Sequence, residues 1–201
     1  ERRDKYLRTI YTKANDMDRL INELTYYSSI DNNRIPYNFH RINVAEFFAD
    51  CVEDVGLDLE SKNIQLNYSN LVEPDTRIIA DPEQLKKVIN NIIGNSIKYM
   101  DKEKGVIDIR LLDEVDSIRV EIEDNGKGIA QKDLQKIFER FYRTDASRNS
   151  AQGGSGIGLS IVKKIIEDHG GYVWATAKEG EGTCMHFVLR KYIELQPGGT
   201  K

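Results

Sequence analysis

Two segments in the middle of the chain, 106–112 (VIDIRLL) and 117–124 (SIRVEIED), alternate between apolar and polar residues. This period of two is typical of β-strands with one buried face, and the short acidic connection predicts a hairpin. Helical patterns lie on both sides of it. The sequence therefore predicts an α+β fold, in which helices cover one face of a mixed, largely antiparallel sheet as a two-layer sandwich.

The other elements follow from the same periodicities. Strands are predicted at 39–44, 63–69, 76–80, 172–177 and 184–190, and helices at 45–61, 81–100 and 155–169. The helix at 81–100 has the clearest start. Asp81 is a suitable cap, Pro82 suits the first turn, and Gln84 would complete a capping box.

Residues 1–30 are predicted to form one amphipathic helix. Its apolar or small residues recur at alternating spacings of three and four, as in a heptad seam: Leu7, Ile10, Ala14, Met17, Ile21, Leu24 and Ser28. A helix cannot bury such a stripe alone. The spacing favours a helical bundle or dimer over the alternative, a helix lying on its own domain. We divide the chain into a helical segment, 1–36, and a globular domain, 37–201.

The composition excludes several classes of protein. The net charge of -4 over 201 residues lacks the basic excess expected of a nucleic-acid-binding domain. No apolar run reaches the roughly 18 residues of a membrane-spanning helix, so we expect a cytoplasmic chain without membrane contact. Cys51 and Cys184 show no CxxC spacing and no nearby histidine cluster. We interpret them as core thiols in a reducing compartment.

The first motif whose side chains are suited to ligand binding is NNIIGNSIKY, at 90–99 on a predicted helix. Asn91 and Asn95 are four residues apart and share a helix face, with Lys98 just beyond. Carboxamide oxygens are suitable ligands for a hard cation such as Mg²⁺, and a lysine beside them suits phosphate. Taken alone, the motif is equally well explained as the solvated face of a helix.

Three further motifs follow in order. DNGKGI (124–129) ends a strand in a carboxylate suited to accept a hydrogen bond from an exocyclic amine, although Asn-Gly is also common in ordinary turns. IFERFYR (137–143) offers aromatic anchors and arginines that would reach a terminal phosphate. GGSGIGLSIVKK (153–164) opens a helix with a glycine-rich loop, a phosphate-binding arrangement. No strand precedes it, as a dinucleotide-binding fingerprint would require.

Taken together, the order and spacing of these motifs resemble the Bergerat-type ATP-binding fold shared by histidine kinases, type II topoisomerases, mismatch-repair ATPases and one chaperone class. Within that fold, residues 90–99 resemble the N box, and residues 138–143 resemble the F box. Residues 124–129 and 153–159 resemble the glycine boxes, and 180–187 resemble a final glycine-threonine element. The resemblance covers about 37–192. The segment 1–36 resembles the second helix of a dimerisation and histidine-phosphotransfer domain.

The resemblance implies a site for ATP and Mg²⁺. Asp124 would bind the adenine amino group, Asn91 would coordinate the metal, and Arg143 would reach the terminal phosphate. The other implied nucleotide-site residues are Asn95, Lys98, Tyr99, Gly126, Gly128, Ile129, Phe138, Tyr142, Gly154, Ser155, Gly156, Ile157, Gly158, Leu159 and Thr183. Residues 130–153 correspond to the ATP lid. Two positions depart from the usual pattern, Ser96 in place of alanine and Ile157 in place of leucine, and neither removes a functional group.

Asn91 bears on which branch of the superfamily the chain resembles. The hydrolytic branches usually carry a glutamate there as the general base, whereas a carboxamide cannot take a proton at neutral pH. Slow hydrolysis and transfer to a histidine are therefore favoured, with Asn91 and Arg143 as candidates for positioning the phosphate. His40, His169 and His186 lie outside any HELRTPL-like acceptor sequence. We interpret them as structural or surface residues and expect the acceptor upstream of Glu1.

The sequence thus predicts the ATP-binding catalytic domain of a sensor histidine kinase in two-component signal transduction. The implied partners are its own dimerisation domain, in a homodimer formed through the segment 1–36, and a response regulator whose aspartate receives the phosphoryl group. A membrane-bound sensor upstream is implied by the resemblance alone. Two alternatives stay open: an ATP-hydrolysing conformational switch, against which Asn91 and the F box argue, and a nucleotide-binding docking module without catalysis.

Overall fold

The computed structural model describes residues 2–32, 36–144 and 155–194. The elements, in chain order, are α1 (Arg2–Asp31), β1 (His40–Asn43), α2 (Val44–Ser61), β2 (Ile64–Asn70), β3 (Arg77–Ala80), α3 (Pro82–Tyr99), β4 (Gly105–Asp113), β5 (Ser117–Asp124), α4 (Gly158–Asp168), β6 (Tyr172–Lys178) and β7 (Gly182–Arg190). None of the helices in these ranges combines the length and the apolar content that crossing a bilayer requires.

The central sheet has five strands in the order β2-β4-β5-β7-β6. Strands β2 and β4 are parallel, and every other neighbouring pair is antiparallel. Strands β4 and β5 form the predicted hairpin. Strands β1 and β3 pair with each other in a separate two-stranded sheet. The prediction of an α+β fold with a mixed, largely antiparallel sheet is confirmed.

The two faces of the central sheet differ in chemistry because successive side chains of a strand point in opposite directions. The inner face contributes Ile107, Ile109, Leu111, Val120, Ile122 and Phe187 to one core with apolar residues of α2, α3 and α4. Full burial of each such side chain stabilises the fold by about 1.5–3 kcal/mol. The outer face is polar and carries Asp108, Arg110, Glu121, Glu123 and His186.

The start of α3 shows how a local prediction is changed by tertiary contacts. Asp81 caps the helix as predicted, with Oδ1 accepting hydrogen bonds from the backbone N–H groups of Glu83 (3.0 Å) and Gln84 (3.1 Å). The predicted capping box is not completed. The Gln84 side chain accepts from the Tyr26 hydroxyl of α1, and the Asp81 N–H donates to His169 Nε2 at 3.0 Å. Packing of α1 and α4 against this end supplies partners that the local sequence does not reveal.

His169 joins the C-terminal end of α4 to the start of α3 as a neutral imidazole. Its Nδ1 donates to the Ile165 carbonyl at 2.7 Å, and its Nε2 accepts from Asp81 N–H. Burial lowers the pKa of His169, although the hydrogen bond to Ile165 and the charges of Asp81 and Asp168 oppose the shift. Protonation would therefore remove an acceptor and place a charge in a partly buried position.

We expect acidification to destabilise the fold through His169. Because its pKa is lower in the folded chain than in the unfolded chain, the unfolded chain takes up the proton first. The contribution to the free energy of unfolding is complete above about pH 6.5 and declines as the pH falls from there towards the folded-state pKa. Urea denaturation between pH 8 and pH 5.5 measures this slope. His169→Asn, which cannot titrate, should flatten it, and an unchanged slope in that variant would contradict the assignment.

Helix α4 begins at Gly158, three residues later than predicted for 155–169. Gly156 adopts a positive φ of 70°, and the Ile157 N–H donates to Ser155 Oγ at 3.0 Å. This turn keeps the preceding residues out of the helix. The glycine loop is therefore a distinct segment that leads into the N-terminus of α4.

Helix α1 confirms the predicted long N-terminal helix. The predicted heptad positions Leu7, Ile10, Ala14, Met17, Ile21, Leu24 and Ser28 are exposed. The other side of its C-terminal end contacts the globular part, where Tyr27 is buried and its hydroxyl accepts from Arg140 Nε at 2.9 Å. The seam itself is thus left available. The division into 1–36 and 37–201 stays a prediction.

Candidate functional site

A cavity of about 330 Å³ lies between α3, the end of β5, the aromatic segment after it and the loop before α4. It brings together residues of motifs that are far apart in the sequence, from Asn90 to Met185. The predicted site residues that line it are Asn91, Asn95, Lys98, Tyr99, Asp124, Gly128, Ile129, Tyr142, Arg143, Ser155, Gly156, Gly158, Leu159 and Thr183.

Three of the predicted site residues that the structure describes do not line this cavity. Gly126 lies beside it, where its N–H donates to Asp124. Phe138 packs against the hydrophobic core, and Ile157 is buried within that core. Gly154 lies outside the described residues, as does the part of the predicted lid at 145–153.

Helix α3 forms one wall of the cavity because its two faces are chemically distinct. Ile89 and Ile93 are buried on the side that packs into the core. On the cavity side, Asn91 Nδ2 donates to the Lys87 carbonyl at 2.9 Å. This bond turns Asn91 Oδ1 towards the glycine loop, where a Cβ added at Gly158 would lie only 2.9 Å from it. An amide oxygen is thus presented where two elements approach closely.

Asp124 forms the base of the cavity at the end of β5. Its Oδ2 accepts from Ser96 Oγ at 2.8 Å, and its Oδ1 accepts from the Gly126 N–H at 3.0 Å. Burial raises the pKa of Asp124 above its ordinary value, while hydrogen bonds from Ser96, Gly126 and the backbone of Thr183 oppose the shift. Each carboxylate oxygen has two lone pairs, so accepting capacity remains for a donor that enters the cavity.

The aromatic segment is attached to the glycine loop by its backbone. The Phe141 N–H donates to the Gly156 carbonyl at 2.9 Å, and a Cβ at Gly156 would lie 2.9 Å from the Tyr142 carbonyl oxygen. The Tyr142 hydroxyl donates to Asp133 Oδ1 at 2.7 Å, and Ile137 is buried. These contacts hold the residues before Arg143 against the rim of the cavity.

Eight lining residues were not predicted: Glu23, Asn90, Ile92, Gly94, Ser96, Ile137, Thr144 and Met185. The sequence does contain a hint for Ser96, because its hydroxyl lies on an otherwise apolar helix face between Ile93 and Ile97. The sequence contains no such hint for Glu23, since its place at the cavity depends on how α1 lies against the globular part. The Tyr26 ring, 3.3 Å from Lys87 Nζ, is one of the contacts that set this arrangement.

The lining is chemically polarised. The partly buried carboxylate of Asp124 lies in one region, and apolar side chains such as Ile129 and Met185 lie among the other lining residues. Lys98, Arg143 and the start of α4 supply positive charge and free backbone amides, which favour anions. The cavity therefore suits a ligand that combines a flat amine-bearing ring with a polyanionic group.

Comparison with known proteins agrees with this chemistry. Residues 80–193 match the model of a family described as histidine kinase-, DNA gyrase B- and HSP90-like ATPase. The chain is 31% identical over 186 residues to the sensor histidine kinase WalK of Bacillus subtilis (strain 168), covering 92% of this chain and 30% of WalK. The chain therefore spans less than a third of the length of that relative.

Solved structures are similar over the same region. The nucleotide-free catalytic domain of histidine kinase ThkA aligns with a TM-score of 0.65 and 30% identity, covering 77% of this chain and 96% of that one. A structure of ThkA in complex with the response regulator protein TrrA aligns with a TM-score of 0.74 and 28% identity, covering 94% of this chain and 51% of that one. The alignment with the second structure therefore includes more of this chain than the alignment with the catalytic domain alone.

Proposed function

Since this chain belongs to the family of histidine kinase-, DNA gyrase B- and HSP90-like ATPases, and is an ATP-binding catalytic domain of the histidine kinase type, we propose that it transfers the γ-phosphoryl group of ATP to a histidine side chain. The observation that carries the proposal is the carboxamide of Asn91, whose oxygen faces the glycine loop. A carboxamide cannot deprotonate water, so ATP would be held without rapid hydrolysis.

The geometry supports a role for each part of the cavity. We propose that Asp124 accepts a hydrogen bond from the adenine amine and that Lys98 and Arg143 contact the phosphates. Asn91 would hold Mg²⁺, which neutralises phosphate charge when bound. Phe138 and Ile157, packed in the core, would anchor the lid and the glycine loop. The other proposed nucleotide contacts are Asn95, Tyr99, Gly126, Gly128, Ile129, Tyr142, Gly154, Ser155, Gly156, Gly158, Leu159 and Thr183.

The transfer step requires little from a protein base. A neutral imidazole nitrogen of the acceptor attacks the γ-phosphorus, the bond from that phosphorus to the β–γ bridging oxygen breaks, and ADP leaves. The imidazole N–H proton passes to solvent. Positioning and charge stabilisation then provide most of the acceleration. His169 and His186 are hydrogen-bonded inside the fold, and none of the three histidines lines the cavity. We therefore propose that another segment supplies the acceptor.

The exposed seam of α1 supports a proposal for partners. Three of its apolar positions, Leu7, Ile10 and Ile21, are more than half exposed and would be buried by a second helical pair. We propose a homodimer formed through this seam, and a response regulator as the next phosphoryl acceptor, by analogy with the ThkA–TrrA complex. The chain would be the cytoplasmic portion of a membrane-bound sensor.

Phosphotransfer tests the proposal directly. The chain is incubated with Mg²⁺ and γ-³²P-labelled ATP, together with a dimerisation-domain polypeptide of its own protein that carries the acceptor histidine. We expect labelling of that polypeptide that is lost in acid and stable in base, as for phosphohistidine. Asn91→Ala should lower the initial rate at least about 100-fold, because it removes a direct metal ligand and the loss of a supporting residue already costs about 10- to 100-fold. Asn67→Ala, on the outer face of β2, is the matched control and should leave the rate unchanged.

Two other results would favour the alternatives. Steady release of inorganic phosphate without labelled histidine would favour an ATP-hydrolysing conformational switch. Absence of ATP binding by a chain that is folded by circular dichroism would favour a docking module. Either result would contradict the kinase proposal, because transfer to histidine requires both a bound nucleotide and a phosphoryl group that water does not consume.

A further inference from the structure

Strand β7 presents different residues to its two sides. Thr183 and Met185 line the cavity described above, so Cys184 and His186 point to the outer face of the sheet. Glu121 of β5 is directly opposite His186 in the sheet register. Cys184 Sγ is 3.9 Å from His186 Nδ1, and that nitrogen is 3.2 Å from Glu121 Oε1. The three atoms all lie within 4.8 Å of one another.

We propose that Cys184, His186 and Glu121 form a binding site for a thiophilic divalent cation, with Zn²⁺ as the principal candidate. Zinc binds sulfur at about 2.3 Å and nitrogen or oxygen at about 2.0–2.2 Å in a tetrahedral arrangement, which places its ligand atoms between about 3 and 4 Å apart. The observed spacings need only small side-chain rotations to meet that geometry. Three protein ligands would leave the fourth position to water.

The orientation of His186 supports this site. Its Nε2 lies 2.8 Å from Thr176 Oγ1, and the Trp174 ring stacks on the imidazole with a centroid distance of 4.8 Å and an interplanar angle of 6°. Without a cation, Nδ1–H donates to Glu121 and Nε2 accepts from the Thr176 hydroxyl. A cation would displace the Nδ1 proton and hold the other tautomer, in which Nε2–H donates to Thr176 Oγ1 and the Nδ1 lone pair faces Cys184 and Glu121. Histidines that bind metals are typically held through their second nitrogen in this way.

The neighbouring arginines do not prevent cation binding. Arg110 contacts Glu121 Oε2 at 3.0 Å, but it also pairs with Glu123 at 2.6 Å. Arg119 contacts Glu121 Oε1 at 3.3 Å, and it also lies 3.6 Å from Glu114. Glu121 can therefore turn towards a cation while each guanidinium keeps a carboxylate partner.

The charge of this network also fits one divalent cation. Its members are the carboxylates of Glu114, Glu121 and Glu123, the guanidinium groups of Arg110 and Arg119, and the thiol of Cys184. The Cys184 thiol gives up its proton to solvent when it binds a cation, because the thiolate is the form that binds metal. With the thiolate formed, the anionic groups exceed the cationic groups by two charges.

Burial distinguishes this cluster from an ordinary group of surface residues. Cys184 is 8% exposed and His186 is 9% exposed, so a bound cation would be shielded from bulk water on most sides. The chain also contains an internal control, because Cys51 is buried as well but lies in the apolar core on α2. The two thiols thus differ in their neighbours rather than in their accessibility.

A cobalt titration of the intact chain, without nucleotide, tests the site. Thiolate bound to Co²⁺ gives a charge-transfer absorption in the near ultraviolet, and Zn²⁺ added afterwards should abolish it by displacement. We expect one cation per chain. Cys184→Ser should remove the absorption and weaken Zn²⁺ binding by at least about 100-fold in calorimetry, since a direct ligand matters more than the 10- to 100-fold effect of a supporting residue. Cys51→Ser should retain both signals.

Glu121→Gln provides a second variant that keeps the shape of the side chain. It should weaken Zn²⁺ binding by roughly 10-fold or more while ATP binding, on the opposite side of the sheet, is retained. This variant decides the question if Cys184→Ser does not fold. Absence of the cobalt absorption in the parent chain would overturn the proposal. Its persistence in Cys184→Ser, or equal Zn²⁺ affinity in Glu121→Gln, would likewise show that any bound metal is adventitious.

Discussion

Replacing Asp124 with asparagine is expected to lower the affinity of the chain for ATP by about 100-fold. The carboxylate already accepts hydrogen bonds from Ser96 and Gly126, and we propose that a remaining lone pair accepts from the adenine amine. An asparagine at this position would direct an N–H group at that amine, so a donor would face a donor. Loss of a hydrogen bond to a buried charged group costs about 3 kcal/mol, which corresponds to about two powers of ten in Kd.

Calorimetric titration of Mg²⁺-ATP into both chains measures the change. Inosine triphosphate, which has a carbonyl oxygen in place of the amine, sharpens the test, because the asparagine N–H can donate to that oxygen. The parent should prefer ATP, and Asp124→Asn should lose or reverse the preference. Asp108→Asn, on the outer face of β4, is the matched control. Equal weakening of both nucleotides by Asp124→Asn would contradict the assignment of the adenine contact and indicate a general loss of structure.

The parts of the fold that the sequence predicts correctly depend on local pattern. The hairpin of β4 and β5 has strict alternation and a short connection, and α3 has a cap and a proline at its start. The motifs at 90–99 and 124–129 meet at the cavity because each lies at a defined place on one element. Local periodicity and capping therefore predicted the elements that carry these motifs, whereas most of the lining residues were predicted from the resemblance of the motifs to the ATP-binding fold.

The features that the sequence does not predict depend on pairing between distant segments. Glu121 and His186 are 65 positions apart, and only the register of β5 with β7 brings them together. Interpreting Cys184 as a core thiol, from its spacing alone, could not include that neighbour. Glu23 reaches the cavity through the packing of α1, for which no local pattern exists. The start of α4 was predicted too early, because the helical spacing of apolar residues does not reveal the positive φ of Gly156.

Gly128→Ala is expected to destabilise the fold and abolish nucleotide binding. Gly128 has a φ of 69°, and an added Cβ would lie 2.1 Å from the Lys178 carbonyl oxygen at the end of β6. Because real Cβ atoms do not approach a backbone oxygen so closely, the turn between β6 and β7 must move. That turn leads into Thr183, which lines the cavity opposite Asp124. The strain of the left-handed backbone adds to the clash, and we expect a loss of about 3 kcal/mol or more.

Gly180→Ala separates the two contributions to this loss. Gly180 also has a positive φ, of 80°, but no atom lies within 4 Å of the position that an added methyl group would occupy, so only backbone strain of about 1 kcal/mol is expected. Urea denaturation should therefore rank the parent above Gly180→Ala and both well above Gly128→Ala. The thermal midpoint of Gly128→Ala should fall by about 10 °C. Equal losses in the two variants would show that strain alone determines the cost, and that the contact between Gly128 and β6 does not maintain the shape of the cavity.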